Sequence, residues 1–222
     1  MNRPRALAND YDTNPERWAN CPPEIVATGD VHPVIAERIL AEGLSPVIDI
    51  GSGRGRLAEQ LKGGARYLGL DMSPTQVAHT KLPVALGDAN HMPVRDASAG
   101  VVAALYMLYH LDEPLLAIRE AHRVLKPGGL FVACSPARND SPEVQPEQEP
   151  STFDAEDAPA IVREVFDDVE VDAWDAPMLT FETRDALRLY LTSRLADPAL
   201  ADNVALPVTV TKRGCIVWGR KH

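Results

Sequence analysis

Short runs of apolar, often β-branched residues alternate along this chain with longer stretches whose apolar residues recur every three to four positions. That alternation restricts the fold more than any other feature of the sequence. Val47-Ile48-Asp49-Ile50, Tyr67 to Asp71, Val84 to Asp88, Val101 to Met107 and Leu130 to Cys134 read as five buried strands, each closed by Gly, Ser, Asp or Pro. Between them, Ile35 to Gly43, Arg56 to Leu61, Pro74 to His79 and Glu113 to Leu125 carry helical spacing. The last of these helices must stop at Lys126-Pro127-Gly128-Gly129, where Pro cannot continue it and the glycines favour a turn. Strands that are apolar along their whole length need cover on both faces, so the expected class is α/β, a doubly wound and mostly parallel sheet with helices on both sides.

Beyond the fifth strand the composition changes. Residues 135–153 are rich in Pro, Glu, Gln and Ser, which predicts a loop or partly disordered cover. A helix from Ala155 to Phe166, capped by Thr152 or Asp154, should lead to the alternating strand Val169 to Trp174. A helix from Thr183 to Leu195 and a last strand or hairpin arm within Ala205 to Gly219 complete a seven-stranded sheet. The helix with Leu187, Leu189, Tyr190 and Leu191 either packs on the sheet, covers a pocket or forms a homodimer contact.

At 222 residues and 45% hydrophobic side chains the chain can bury one full core as a single domain. Cys21, Cys134 and Cys215 are far apart with no C-x-x-C pair, so neither a disulfide framework nor a zinc knuckle is expected, and a reducing cytoplasm fits. No export signal is visible near the N-terminus, and the most apolar run, Gly100 to Leu111, is shorter than the roughly 20 residues of a spanning helix. The net charge of −10 argues against partners that are nucleic acid or anionic membrane. Asn139 to Asp175 alone holds 13 acids and one base, Arg163, so the rest of the chain is close to neutral. Asp140, Glu143, Glu147, Glu149, Asp154, Glu156 and Asp157 are expected to form an acidic rim at the mouth of any site above the fifth strand.

The turn after the first strand, Gly51-Ser52-Gly53-Arg54-Gly55, lets backbone N–H groups approach a ligand closely, with the following helix N-terminus adding positive dipole. A dinucleotide fingerprint would place its third glycine at position 56, where this chain has Arg56. Asp71 ends the second strand twenty residues past Gly51, where a carboxylate reaches the ribose hydroxyls of an adenosine ligand. Asp88, in Gly87-Asp88-Ala89 at the end of the third strand, could accept from an adenine amino group.

With these stretches in order, the chain resembles the class I S-adenosylmethionine-dependent methyltransferases of the small-molecule type. The resemblance rests on Val47 to Gly55, Leu68 to Ser73, Gly87 to Ala89 with Met92-Pro93, Tyr106 to Leu111 and Arg123 to Gly129, and it covers about residues 35–135. It implies a Rossmann-like sheet and S-adenosylmethionine as cofactor, with S-adenosylhomocysteine as product. By position, Asp49 and the Gly51-Ser52-Gly53 backbone would hold the methionine part, Asp71 the ribose, Met72 and Ala89 the faces of the adenine, and Asp88 its amino group. Tyr106 would line the methionine side. The implied organisation is an N-terminal flap over residues 1–30, a cofactor core over 35–135, an acidic loop over 136–153 and a C-terminal sheet edge over 154–222 with a helical insertion at 183–195. In the flap, Tyr11 could reach the methionine carboxylate and Trp18 the acceptor pocket.

Displacement at a sulfonium methyl group needs positioning and exclusion of water, and no metal or covalent nucleophile. A base is needed only for an un-ionised hydroxyl or a protonated amine. His110, following the fourth strand, is the leading candidate and Tyr109 the second, while His32, His79, His91 and His222 show no partner in the sequence. The expected activity is methyl transfer to oxygen or nitrogen of a small molecule. The alternatives are a cofactor-binding regulator, a nucleic-acid methyltransferase and a nicotinamide oxidoreductase. None of the tyrosines has Lys four residues on, which counts against the last of these.

Overall fold

The computed structural model describes Asp12, the backbone of Val26–Ala27, and residues 30–78 and 80–222. Tyr11, Arg17, Trp18, Cys21 and His79 lie outside the described residues. In chain order the elements are β1 (Val26–Ala27), α1 (Val31–Ala41), β2 (Val47–Ile50), α2 (Arg56–Leu61), β3 (Tyr67–Asp71), α3 (Pro74–Ala78), β4 (Val84–Leu86) and β5 (Ala99–Leu105). A 3-10 turn at Leu108–His110 leads to α4 (Pro114–Val124), β6 (Leu125–Pro136), α5 (Ala158–Arg163), β7 (Asp168–Phe181), α6 (Arg184–Ser193), a second 3-10 turn at Pro198–Asn203 and β8 (Val208–Arg220).

All strands join one sheet in the order β1-β7-β8-β6-β5-β2-β3-β4. The five strands β6, β5, β2, β3 and β4 run parallel, whereas β8 lies antiparallel to both β6 and β7. This is the expected mostly parallel sheet of seven principal strands, with the two-residue β1 added antiparallel at the β7 edge. From β2 the chain steps outward through β3 to β4, then returns to place β5 on the other side of β2. The connections above β2 and β5 therefore diverge, which opens a crevice at the carboxyl ends of these two strands.

The strand pattern explains the two-sided core. Along β5, Val101 and Ala103 face one side of the sheet with Val47, Val132, Ile35 and Ile39 of α1, and Leu57 and Leu61 of α2. Val102 and Ala104 face the other, with Ile48, Ile50, Phe131, Ala117, Ile118 and Ala121 of α4, and Val162 of α5. The Lys126-Pro127-Gly128-Gly129 segment is an excursion in the β5–β6 pairing: Ala99 faces Leu125, but Val101 faces Leu130. Gly128 supplies the positive φ of 77° that this turn needs.

Three sequence expectations change beyond the parallel core. The helix after the acidic loop is only Ala158–Arg163, with Asp157 at its N-cap, and neither Thr152 nor Asp154 caps it through its side chain. Thr152 Oγ1 instead donates to the Leu111 carbonyl at 2.7 Å, and the Asp154 carboxylate accepts from Ser151 N and pairs with Arg138. The strand expected to end at Trp174 continues to Phe181, because β8 offers it a full antiparallel partner out to Val208. Ser135 and Pro136 complete β6, and residues 137–153 form an ordered loop in which Asp140, Ser141, Val144 and Gln145 are buried, with Val144 in a third apolar cluster alongside Phe181, Leu187, Tyr190 and Leu191. Helix α6 thus packs on the far ends of β7 and β8.

Candidate functional site

A cavity of about 670 Å³ opens in the β2–β5 crevice, within the 300–1,000 Å³ range of small-molecule and cofactor sites. Its wall includes Asp49, Gly51, Ser52, Gly53, Asp71, Met72, Ala89, Tyr106 and His110, which brings together nine of the residues singled out from the sequence. Asp88 and Tyr109 are not part of this wall. Asp88 turns to its own loop, accepting from Asn90 N at 2.9 Å and pairing with His91 Nδ1 at 3.4 Å, while its neighbours Gly87 and Ala89 face the cavity. Tyr109 packs against the core beneath α4, with its ring 4.4 Å from that of His110. Among the described residues no cluster of His, Cys, Asp or Glu could hold a metal, and no helix is long and apolar enough to cross a membrane.

The floor of the cavity is the turn after β2. Gly51, Gly53 and Gly55 have φ of 64°, 50° and 81°, a region that side chains other than glycine rarely adopt. Gly51 N donates to Leu70 O at 2.8 Å, which ties the turn to β3. A Cβ on Gly51 would lie 2.7 Å from Met107 Cβ, whereas one on Gly53 would meet nothing within 4 Å, because Gly53 faces open cavity. Gly51→Ala is therefore expected to destabilise the fold by about 1–3 kcal/mol, read as a lower urea midpoint. An unchanged midpoint would mean that Met107 moves aside freely.

Asp49 is 4% exposed and its Oδ2 accepts from the Tyr67 hydroxyl at 2.7 Å. Burial, with a contribution from the nearby Asp71 charge, raises its carboxyl to about 7, although the Tyr67 hydrogen bond works the other way. An acid raised in the folded state subtracts stability. The penalty is absent below about pH 4, where folded and unfolded chains are both protonated, grows between pH 4 and 7, and is complete above pH 7. A buried carboxyl of this kind, facing a cavity, suits a cationic ligand group that would hold it ionised. Asp49→Asn should raise the melting temperature at pH 8 but not at pH 4, and weaken binding of a cationic ligand. Equal shifts at the two pH values would remove Asp49 as their cause.

Asp71 closes β3 with its carboxylate already oriented. Oδ2 accepts from Gly53 N at 2.8 Å and Oδ1 from Ser73 N at 2.9 Å. Met72, next in sequence, is 54% exposed at the cavity wall, and Ala89 lies on the same wall. An exposed, polarisable side chain with no core to fill is what a flat aromatic ligand would cover. Ser73 Oγ donates to Asp12 Oδ1 at 2.6 Å, which also receives Thr75 N, so Asp12 of the amino-terminal segment is anchored beside this end of the cavity.

Tyr106, Met107, His110 and Leu111 also line the cavity. Tyr106 holds a φ of 57°, costly for a tyrosine, and its N–H donates to Cys134 O at 3.0 Å. Burial, then Cys134, push its phenol well above the usual range, so the hydroxyl stays protonated. Sequence reasoning did not find His32, Gln76 or Met107 on this wall. Asp30 was recognisable as a helix cap ahead of α1, since its side chain accepts from His32 N, but nothing local tells that the His32 ring turns into the crevice.

Comparison with known proteins agrees with this geometry. Residues 48–133, from β2 through most of β6, match the methyltransferase domain family. Over this stretch the chain is similar to S-adenosylmethionine-dependent methyltransferases. The ubiquinone biosynthesis O-methyltransferase of Aliivibrio fischeri is 32% identical over 144 residues, which cover 58% of this chain and 62% of that relative. Among solved structures, the [4+2]-cyclase SpnF superimposes over 100% of this chain and 98% of its own with a TM-score of 0.62 at 19% identity. A methyltransferase from an antibiotic biosynthesis pathway of Anabaena variabilis does so over 87% of this chain and 98% of its own, with a TM-score of 0.66 at 13% identity. At these identities the two structures speak for the fold alone. The methyltransferase family implies S-adenosylmethionine as cofactor, and the cavity fits it: an open glycine cradle, a buried carboxyl for a cation, an oriented carboxylate for hydroxyls and an exposed methionine for the adenine lie on one wall.

Proposed function

We propose that this protein transfers a methyl group from S-adenosylmethionine to oxygen or nitrogen of a small-molecule acceptor. The observation that carries the reading is the single cavity in which the Gly51–Gly53 turn, Asp49 and Asp71 share a wall with Tyr106 and His110. When bound, the cofactor supplies a sulfonium methyl group already activated by its positive charge. The protein's part is then to hold and exclude. Asp49 and the turn after β2 take the methionine portion, Asp71 the ribose hydroxyls, and Met72 and Ala89 the adenine faces. Tyr106, Met107 and Leu111 add further cavity wall, and exclusion of water there would favour displacement by the acceptor.

A small acceptor is favoured by the size of the cavity, and by relatives such as the ubiquinone biosynthesis O-methyltransferase, whose name states an oxygen acceptor. The chain spans 62% of the length of that relative, so its acceptor is no guide to this one. The test is incubation of the purified protein with deuterium-labelled S-adenosylmethionine and a cell extract, followed by mass spectrometry. One labelled methyl group on a small molecule is expected. Binding of S-adenosylhomocysteine without transfer above background would instead make the protein a cofactor-binding regulator, and absence of binding would sink both readings.

A further inference from the structure

Two histidines line the cavity, and one of them carries a carboxylate on its second ring nitrogen. His32, at the start of α1, is 7% exposed and lies on the cavity wall. Its Nδ1 is 2.6 Å from Asp30 Oδ1, the oxygen that also accepts from His32 N at 3.1 Å. Asp30 Oδ2 accepts from Arg56 at 2.9 Å, and Arg56 too lies on the wall. The hydrogen bond from His32 holds the Asp30 carboxyl well below the usual carboxylate range, despite partial burial, with smaller help from Arg56. An ionised carboxylate at 2.6 Å favours the proton on Nδ1, and in the neutral ring Nε2 then keeps its lone pair. Among the described residues no hydrogen bond reaches Nε2.

We propose that His32, positioned by Asp30, is the proton acceptor of the methyl-transfer reaction. The inference rests on the function proposed above and names a residue for the proton that a hydroxyl or protonated amine must lose. His32 Nε2 takes that proton while the acceptor's oxygen or nitrogen bonds to the methyl carbon. The electron pair of the breaking carbon–sulfur bond stays on sulfur, which leaves as a neutral thioether. The imidazolium so formed sits against the Asp30 carboxylate, so the charge it gains is offset where it appears. Arg56 from α2 and Cys134 of β6 act on Asp30, and Asp49 from β2 and Tyr106 after β5 line the same cavity as His32. Tyr106 and Cys134 are held in their neutral, protonated forms by burial, and the Asp49 carboxyl titrates near 7. The competing role for the same ring is to hold the methionine end of the cofactor, and the experiment separates the two.

Nitrogen-15 labelling of the histidines, with the His32 signals assigned by their loss in His32→Gln, should show the Nδ1–H form at pH 8. The Nε2–H form would overturn the proposal. Calorimetry with S-adenosylhomocysteine should give affinities for His32→Gln and Asp30→Asn within threefold of the parent protein, and a larger loss would assign His32 to cofactor binding instead. No binding by the parent protein would defeat the methyltransferase reading itself, which is a different failure. In the labelled-methyl assay on the same extract, the initial rate should fall about 100-fold in His32→Gln and about tenfold in Asp30→Asn. A fall of less than tenfold in His32→Gln, or one confined to a His110→Asn control, would overturn it. Asp30→Asn keeps the helix cap, since Asn caps about as well as Asp, so its effect reads the lost charge rather than a lost helix start.

Discussion

An Asp71→Ala variant should bind S-adenosylhomocysteine about 100-fold more weakly while remaining folded. Asp71 stands at the end of β3 with both carboxylate oxygens already engaged by main-chain donors, Gly53 N at 2.8 Å and Ser73 N at 2.9 Å. Those contacts orient the group toward the cavity at no cost on binding, and each oxygen retains a further lone pair for a ribose hydroxyl. Hydrogen bonds to a charged group are each worth about 1.5–3 kcal/mol net, so losing two removes about 3 kcal/mol or more, a factor of about 100. The alanine also frees the Gly53 amide, which loosens the turn that cradles the ligand. Asp71→Asn keeps one acceptor and should fall between the two. Calorimetry decides: a loss under fivefold for Asp71→Ala would mean that the carboxylate serves the turn and not the ligand.

An Asp140→Ala variant should lose about 3–5 kcal/mol of stability, the largest effect expected of any residue in the acidic segment. Asp140 is 1% exposed and is bound by the side chains of Arg194, the C-cap of α6, and Lys212 on β8, and by Arg213 N at 2.8 Å. Burial would raise its carboxyl, but the Arg194 and Lys212 charges outweigh that and hold it below the usual range. Removing it leaves two cations with no counter-ion in a partly buried site, around a Lys212 amine that also donates to the Tyr190 hydroxyl at 2.8 Å. Because the folded-state carboxyl lies below its unfolded value, the contribution is complete above about pH 4 and is lost as pH falls through the folded value. Urea unfolding at pH 7 tests the magnitude. A loss below 1 kcal/mol would show that Arg194 and Lys212 find other partners.

The same residue corrects the reading of charge. The seven acids from Asp140 to Asp157 were expected on the rim of the site, yet none lies on the cavity wall. Five are spent on structure: Asp140 as above, Glu143 on Thr211, and Asp154, Glu156 and Asp157 on Arg138. Neutralising the set would therefore remove these structural contacts along with the charge. Composition marks a segment as acidic, but whether a carboxylate faces solvent or a cation depends on residues 16–73 positions away, and no local pattern records that.

What the sequence determined by itself is the part governed by local rules. The period of apolar residues set the parallel strands and their helices, glycines marked the only backbone that could make the turn after β2, and the spacing from Gly51 to Asp71 set the carboxylate that ends β3. These held because strand, turn and helix chemistry acts over a few residues, and because an open parallel sheet brings strand ends to one edge whatever the rest of the chain does. Tertiary structure alone decided the rest. It turned Asp88 and Tyr109 away from the cavity, extended β7 along β8, buried Asp140, and put the Asp30-bound His32 on the same cavity wall as Tyr106. The β7 extension and the burial of Asp140 follow from contacts between segments far apart in the chain, and for all of these residues burial and pairing, not residue type, settle what a side chain can do.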